Sequence, residues 1–170
     1  GWDGEGLVFQ GATTLNLPYK PFSKFNVNTG YYIEFNIRVN TVLDSDAYII
    51  STLNSSNKGG FYLKAEEAGI ITNSGTKVFT YIAAATTYNI GFMIKKYTGT
   101  NNGQPIDTIL LELYVNGIRT AVNAISSADS FNTDGTITMN GIGAIWKFYG
   151  MRVYNSILTP VAIYNNYLTT

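Results

Sequence analysis

Two carboxylates stand on strand-like runs of this chain, where a pair of acids could do general acid–base chemistry. Glu34 lies in "YYIEFNIRVN" (31–40) and Glu112 in "TILLELYVNGIRTAV" (108–122). Glycoside hydrolysis needs two such groups, about 5 Å apart for retention or about 6.5–9.5 Å for inversion. Glu34 and Glu112 could approach each other only on neighbouring strands. Otherwise each is a surface carboxylate, paired with a cation such as Arg38 or Lys96. The adjacent Glu66 and Glu67 would point to opposite faces of a strand. The chain has no histidine and no cysteine. That removes the Ser-His-Asp arrangement, thiolate nucleophiles, disulfides and most zinc chemistry. The residue types argue against an enzyme.

Recognition chemistry is better supplied. The polar content comes from Asn, Thr, Ser and thirteen tyrosines, while eleven basic and eleven acidic residues cancel and charged residues make up only 13%. Such a surface offers no electrostatic footprint for nucleic acid or an anionic membrane. Neutral glycans are held by rings stacked on sugar faces and by side chains that hydrogen-bond hydroxyls, and two sites compete for that role. The first is the polar face of one sheet. If the closing strand is regular, Trp146, Phe148, Arg152 and Tyr154 share a face. Glu34, Asn36, Arg38, Glu112 and Tyr114 also point away from the apolar sides of their strands. Trp146 suits a core position as well as a sugar platform, and Arg152 suits a structural pair with a carboxylate. The second site is the loop rim carrying Tyr19, Phe22, Tyr97, Asn101 and Asn102.

The elements that must position these groups read as strands almost throughout. In residues 31–40, Ile33, Phe35, Ile37 and Val39 alternate with Tyr32, Glu34, Asn36 and Arg38. Ile109, Leu111, Leu113 and Val115 alternate likewise with Leu110, Glu112 and Tyr114. Period two with one apolar face marks a half-buried antiparallel strand. Shorter candidates are 6–11, 47–52, 60–65, 69–72, 77–82, 88–96, 136–141 and 148–154. Turn residues separate them at Asn57–Gly60, Asn73–Gly75, Asn101–Gly103, Asn116-Gly117 and Asp134-Gly135. Asn116-Gly117 is the strongest signal, because a type I′ turn needs positive φ at both central residues. A short helix is expected over 159–168: Thr159 can cap it, Pro160 suits its first turn, and Val161, Tyr164, Tyr167 and Leu168 share a stripe for docking on an end or edge of the sheets. With 45% hydrophobic residues among 170, the pattern predicts one all-β domain spanning 1–170, a two-sheet antiparallel sandwich. The opening Gly1-Trp2-Asp3-Gly4 carries no initiator Met or signal peptide, so the chain is read as a domain of a longer protein. No apolar run approaches the roughly 18 residues of a membrane span.

The closing segment carries a resemblance. "GMRVYN", then "SILTP" and a helical "IYNNY", resembles the end of laminin-G-like, concanavalin A-like jelly rolls, where an Arg-x-Tyr-Asn strand end, a buried Leu and a brief helix seal the sandwich. "GEGLVFQGATTLNLP", "GYYIEFNIRV" and "LLELYVNGIRTAV" are similar, in order, to that family's opening strand pair, its I-e-F strand and its Y-v-N-G hairpin. The resemblance implies a jelly roll, and a family of lectins, glycosidases, polysaccharide-binding modules and protein-binding domains. Its retaining glycosidases carry a Glu-x-Asp-x-Glu or Glu-x-Asp-x-x-Glu strand, which this chain lacks. Its calcium sites use loop oxygens, for which Asp44-Ser45-Asp46 and the Asp129, Asn132, Asp134 loop are candidates. Both read better as turn-forming Asp, so no metal and no cofactor is expected. Similar Cys-free, Asn/Thr/Tyr-rich domains occur in tail and baseplate proteins of phages that infect Gram-positive bacteria. The analogy implies an accessory host-adhesion module binding a bacterial surface polysaccharide, in a virion or at a cell surface, with the isolated domain a monomer. A protein–protein or structural decoration domain within a larger parent assembly is the alternative.

Overall fold

The structure, a computed structural model, describes residues 6–170 except Lys24, Val27 and Asn57. The opening Gly1–Gly4 and the first residue of the Asn57–Gly60 turn lie outside those residues. The strands are β1 (Leu7–Leu17), β2 (Tyr31–Val42), β3 (Tyr48–Ser51), β4 (Gly60–Lys64), β5 (Glu67–Ile71), β6 (Lys77–Tyr81), β7 (Thr87–Lys96), β8 (Thr100–Asn101), β9 (Gln104–Pro105), β10 (Thr108–Val115), β11 (Ile118–Ser126) and β12 (Ile137–Tyr154), followed by helix α1 (Pro160–Leu168).

Every strand pairing is antiparallel. The path runs β11-β10-β7-β2-β12-β3-β4-β5-β6, with β1 on β12 and β8-β9 a separate small ribbon. The path folds into two faces. The front sheet is β11-β10-β7-β2 with the C-terminal half of β12, and the back sheet is the N-terminal half of β12 with β3-β4-β5-β6. The runs at 136–141 and 148–154, expected as separate strands, are one continuous strand shared by both sheets. Gly141 stands at the crossing point, where a Cβ would lie 2.3 Å from the Gln10 backbone nitrogen. Only glycine lets β1 and β12 approach that closely. On the opposite side, Asn123 Nδ2 on β11 donates to the Lys77 carbonyl on β6 (3.3 Å) and joins the two far edges.

Alternation then builds the core. Ile33, Phe35, Ile37, Phe92, Leu111 and Leu113 from the front face meet Ile50, Phe61, Leu63 and Ile70 from the back, all of them buried. Phe61 and Phe92 stack across the gap, with centroids 5.1 Å apart. The hairpin turn has φ of +51° at Asn116 and +78° at Gly117, as type I′ geometry requires.

Helix α1 forms where its caps place it. Thr159 is extended, its Oγ1 accepts the Ala162 N–H at 3.2 Å, and Pro160 fills the first turn. Its docking differs from the expected stripe. Val161, Tyr164 and Leu168 are exposed, and Ile163 is the buried residue. The helix lies on the outer face of the front sheet, with Ile163 against Tyr32, Met93 and Tyr114. Tyr32, Glu34 and Tyr114 sit on a face that should have been wet, so their burial follows from this docking.

Candidate functional site

The outer face of the front sheet is assembled by register. Glu34 on β2 stands opposite Arg152 on β12, Tyr32 opposite Tyr154, and Arg38 opposite Lys147. On the other side, Asn36 faces Asn89 of β7. The structure thus brings together most of the expected polar residues, but at one end they form the helix's seat. Arg152 Nη1 donates to Glu34 Oε1 (3.2 Å) and to the Asn166 carbonyl of α1 (3.1 Å). The Tyr32 hydroxyl donates to Glu34 Oε2 (3.0 Å), and Asn166 Nδ2 donates to the Tyr154 hydroxyl (3.1 Å). Burial, then the adjacent Glu34 carboxylate, push the Tyr32 phenol well above the usual tyrosine range. Glu34, Arg152 and Tyr154, expected as ligand residues, are engaged in holding the helix.

Glu112 is likewise committed. Arg119 Nη1 donates to its Oε2 at 2.7 Å, and Lys95 Nζ lies 2.8 Å from Oε1 as an ion pair. The expected cation partners, Arg38 and Lys96, are replaced by Arg152 for Glu34 and by Lys95 and Arg119 for Glu112. Strand β7 separates the two acids, and a two-residue offset in register puts their backbones about 12 Å apart. Neither carboxylate is poised for a retaining pair. Burial pushes the Glu112 carboxyl up, but the Arg119 and Lys95 contacts outweigh it and hold the group below the usual range. Burial and the Glu112 charge lift the neighbouring Tyr114 phenol to about 12.

Glu112→Gln should therefore cost about 2 kcal/mol at neutral pH. Exposure of Arg119 keeps that below the figure for a fully buried pair. A carboxyl with a lowered folded pKa contributes fully above its unfolded value, near about 4.3, and loses that contribution as pH falls through the folded value. Urea titrations of both proteins should show the gap closing below about pH 4. A gap constant down to pH 2.5 would contradict the ion-pair assignment.

Trp146 is a core residue. It is fully buried, its ring stacks on Phe9 at 4.5 Å and 12°, and its Nε1–H donates to the Asn140 carbonyl (2.8 Å). The expected shared face fails at a register shift between Phe148 and Gly150. The extra residue Tyr149 inverts the alternation. Trp146 and Phe148 point inward with Met151 and Val153, whereas Arg152 and Tyr154 point outward.

What stays open on the front face is a cleft of about 320 Å³ beside the helix's last turn. Asn36 and Asn89 lie at its base, Asn116 and Thr87 line it, and Tyr149 and Tyr167 contribute rings, while the Tyr88 ring turns toward the core. No lining side chain among the described residues is charged. Asn89 Nδ2 donates to Asn36 Oδ1 at 3.1 Å, and Asn116 Oδ1 accepts the Asn89 backbone N–H at 3.0 Å. Asn36 Nδ2 and Asn89 Oδ1 are buried without a partner. As long as the two amides stay bonded to each other, in this sense or with both turned, one donor and one acceptor remain. A buried amide left unpaired costs about 1–3 kcal/mol, so the pair favours a partner that is both donor and acceptor.

Of the expected ligand residues, only Asn36 lines this cleft. Arg38 lies further along the face and donates through Nε to Asn40 Oδ1. Asn89 and Tyr149 are not singled out by the sequence, and Asn116 and Tyr167 stand there only as turn and helix-docking residues. An Asn on the outward register of the otherwise apolar β7 was the available signal. The rim residues do not converge. Phe22 is buried on Phe131, Tyr19 shares a hydrogen bond with the Tyr31 hydroxyl, and Asn101 and Asn102 belong to the β8–β9 ribbon. The two Asp loops are held as turns. Asp44 Oδ1 accepts the Asp46 N–H, Asp129 accepts from Ser74 and Ser130, and Asp134 pairs with Lys20.

No protein-family model and no curated protein matches the chain. Its structural similarity is to receptor-binding domains of botulinum neurotoxins. The serotype D binding domain superposes with a TM-score of 0.64 at 13% identity, over 95% of this chain and 41% of that one. The type G receptor-binding domain gives 0.57 at 10% identity, over 96% and 46%. The DC binding domain in complex with SialylT gives 0.60 at 12% identity, over 99% and 47%. The chain therefore spans less than half the length of these neighbours. At that identity the similarity establishes the two-sheet jelly-roll fold, shared with domains that bind rather than catalyse.

Proposed function

We propose that this domain is a non-catalytic carbohydrate-binding module that takes a neutral polysaccharide in the front-face cleft. The carrying observation is the unpartnered donor and acceptor of Asn36 and Asn89 at the base of an uncharged, tyrosine-walled cleft. A sugar hydroxyl donates and accepts, so one hydroxyl entering between the rings can satisfy both amides. The structural neighbours support the reading in kind, since they are receptor-binding domains and one is described in complex with SialylT. The analogy of this Cys-free, Asn/Thr/Tyr-rich jelly roll to phage tail and baseplate modules motivates a narrower assignment: host adhesion through a Gram-positive surface polysaccharide, in a virion or at a cell surface.

One cleft with a few hydrogen bonds gives a single-copy affinity in the micromolar to millimolar range, about −8 to −4 kcal/mol. Adhesion then depends on many copies acting together. The test is a pull-down of clustered domain on Gram-positive cell walls, with and without polysaccharide extraction, alongside a neutral glycan panel. Tyr167→Ala should weaken binding about tenfold, a loss of roughly 1.4 kcal/mol. Raising salt past the point where exposed charges are screened should leave binding unchanged. If the clustered wild type binds none of these, the carbohydrate reading falls. The protein-interface reading would take its place, for which an exposed apolar groove of about 580 Å³ beside Ile118, Val161 and Tyr164 is the available surface.

A further inference from the structure

The outer face of the back sheet carries an aromatic stripe that the front-face cleft does not explain. Tyr48 on β3 and Tyr62 on β4 have ring centroids 5.3 Å apart, and Phe79 and Tyr81 on β6 have centroids 5.5 Å apart. Gly69 on β5 stands between Tyr62 and Phe79 in register, so no side chain interrupts the row. The Tyr62 ring leans into that space, where a Cβ on Gly69 would lie 2.4 Å from it. Across four strands the stripe is about 14 Å long, an oligosaccharide's length rather than a single sugar's. Tyr81 is 74% exposed and Tyr48 and Phe79 are 41% and 40% exposed, whereas Tyr62, at 2%, is the buried ring on which the lysine stems and its neighbours rest. Solvent thus reaches rings that a core would hide.

Two ammonium groups cross the stripe. Lys77 Nζ lies 4.6 Å from the Phe79 centroid and 5.8 Å from that of Tyr62, and pairs with Glu67 at 3.4 Å. Lys64 Nζ lies 5.5 Å from the Tyr48 centroid and 5.8 Å from that of Tyr62, with no carboxylate paired to it among the described residues. Lys64 is therefore a cation held in place by ring faces, with its charge unneutralised. At the end of the stripe Tyr48 borders a groove of about 550 Å³ lined by Asn54, Thr72, Asn73, Ser74 and Lys58. Those side chains add amide and hydroxyl partners and a second exposed ammonium.

We infer that this face is a second binding site, for an acidic polysaccharide whose sugar rings lie along the exposed Tyr48, Phe79 and Tyr81, with the buried Tyr62 ring beneath them, and whose carboxylate meets Lys64. A neutral chain would leave the Lys64 charge unused, and a protein strand would find no free backbone edge on a sheet face. A carboxylate-bearing sugar matches both features, with an apolar ring face for stacking and an anion for the ammonium. The site shares no residue with the front-face cleft and does not rest on it.

The test uses the whole domain and oligogalacturonate, with its methyl ester as the same chain without charge. Binding is measured by titration calorimetry at low and at high salt. Wild type should bind the acid, lose most of that affinity as salt rises, and bind the ester about tenfold more weakly or worse. Lys64→Met, which keeps an apolar stem over the rings, and Tyr81→Ala, which alters an exposed ring, should each weaken acid binding about tenfold or more for the lysine and several-fold for the tyrosine. Tyr167→Ala, in the other cleft, should leave it within about twofold. The inference is overturned if wild type does not bind the acid, if the ester binds as well, or if Lys64→Met keeps wild-type affinity while melting like wild type. Loss of acid binding in Tyr167→Ala with Lys64→Met unaffected would move the ligand to the front face and overturn it equally.

Discussion

Trp146→Ala is expected to remove about 3–5 kcal/mol of folding stability, a third or more of what a domain of this size has. The indole is fully buried where β1, β2 and β12 run side by side, opposite Phe9 and Val39. Truncation deletes its ring contacts, strips Phe9 of its stacking partner and leaves the Asn140 carbonyl without its donor. The cavity would open at the shared strand, which belongs to both sheets and can relax only by moving both. Urea unfolding measures the loss. Trp146→Phe should recover part of it by refilling the space, but not the hydrogen bond. A Trp146→Ala protein as stable as wild type that no longer bound glycan would mean the ring faces a ligand after all.

The second large effect is expected at Arg152. Its guanidinium is the cation beside the fully buried Glu34, and it also closes the last turn of α1 through the Asn166 carbonyl. Arg152→Ala should cost about 3 kcal/mol, because Glu34 would keep only the Tyr32 hydroxyl in a site that water reaches poorly. Arg152→Ala with Glu34→Gln should be less destabilised than the sum of the single changes, since the second removes the stranded charge. Strictly additive losses in that double-mutant cycle would show that the two side chains do not depend on each other. Hydrogen exchange should report faster opening of residues 160–168 in Arg152→Ala, and proteolysis near Asn155 should accelerate with it.

Much of this architecture was legible in the residues. Ile33, Phe35 and Ile37 mark β2 because a half-buried strand imposes period two, and Asn116-Gly117 marks the β10–β11 hairpin because few other pairs tolerate two positive φ values. Thr159-Pro160 marks the helix start for equally local reasons. The candidate site was less legible, because it hangs on parity and on docking. One extra residue at Tyr149 exchanges the faces of everything after it, so Trp146 and Arg152, six positions apart, end on opposite sides of β12. Nothing local announces such a bulge. Helix docking is equally non-local: Ile163 rather than the Val161–Tyr164–Leu168 stripe meets the sheet, and its arrival buries the Glu34 carboxylate that a wet face would have exposed. Asn89 shows the reverse case, a polar residue whose meaning depended on Asn36 coming beside it from a strand far away in sequence.

The pairing of β1 with β12 sets how this chain can come into being. Leu7 to Leu17 lie against Phe148 to Ile137, so β1 waits for a neighbour synthesised about 120 residues later. Until residues near 148 have left the ribosome, β1 has nothing to pair with and the strand that ties front sheet to back sheet does not exist. A nascent chain stopped at residue 130 would hold strands for both layers with no shared member, their apolar faces open to water and to each other's copies. Closing so long a loop delays folding, and it makes the event all-or-none once it comes. A protease pulse during refolding should accordingly find either intact domain or small peptides, with no protected fragment corresponding to one sheet alone.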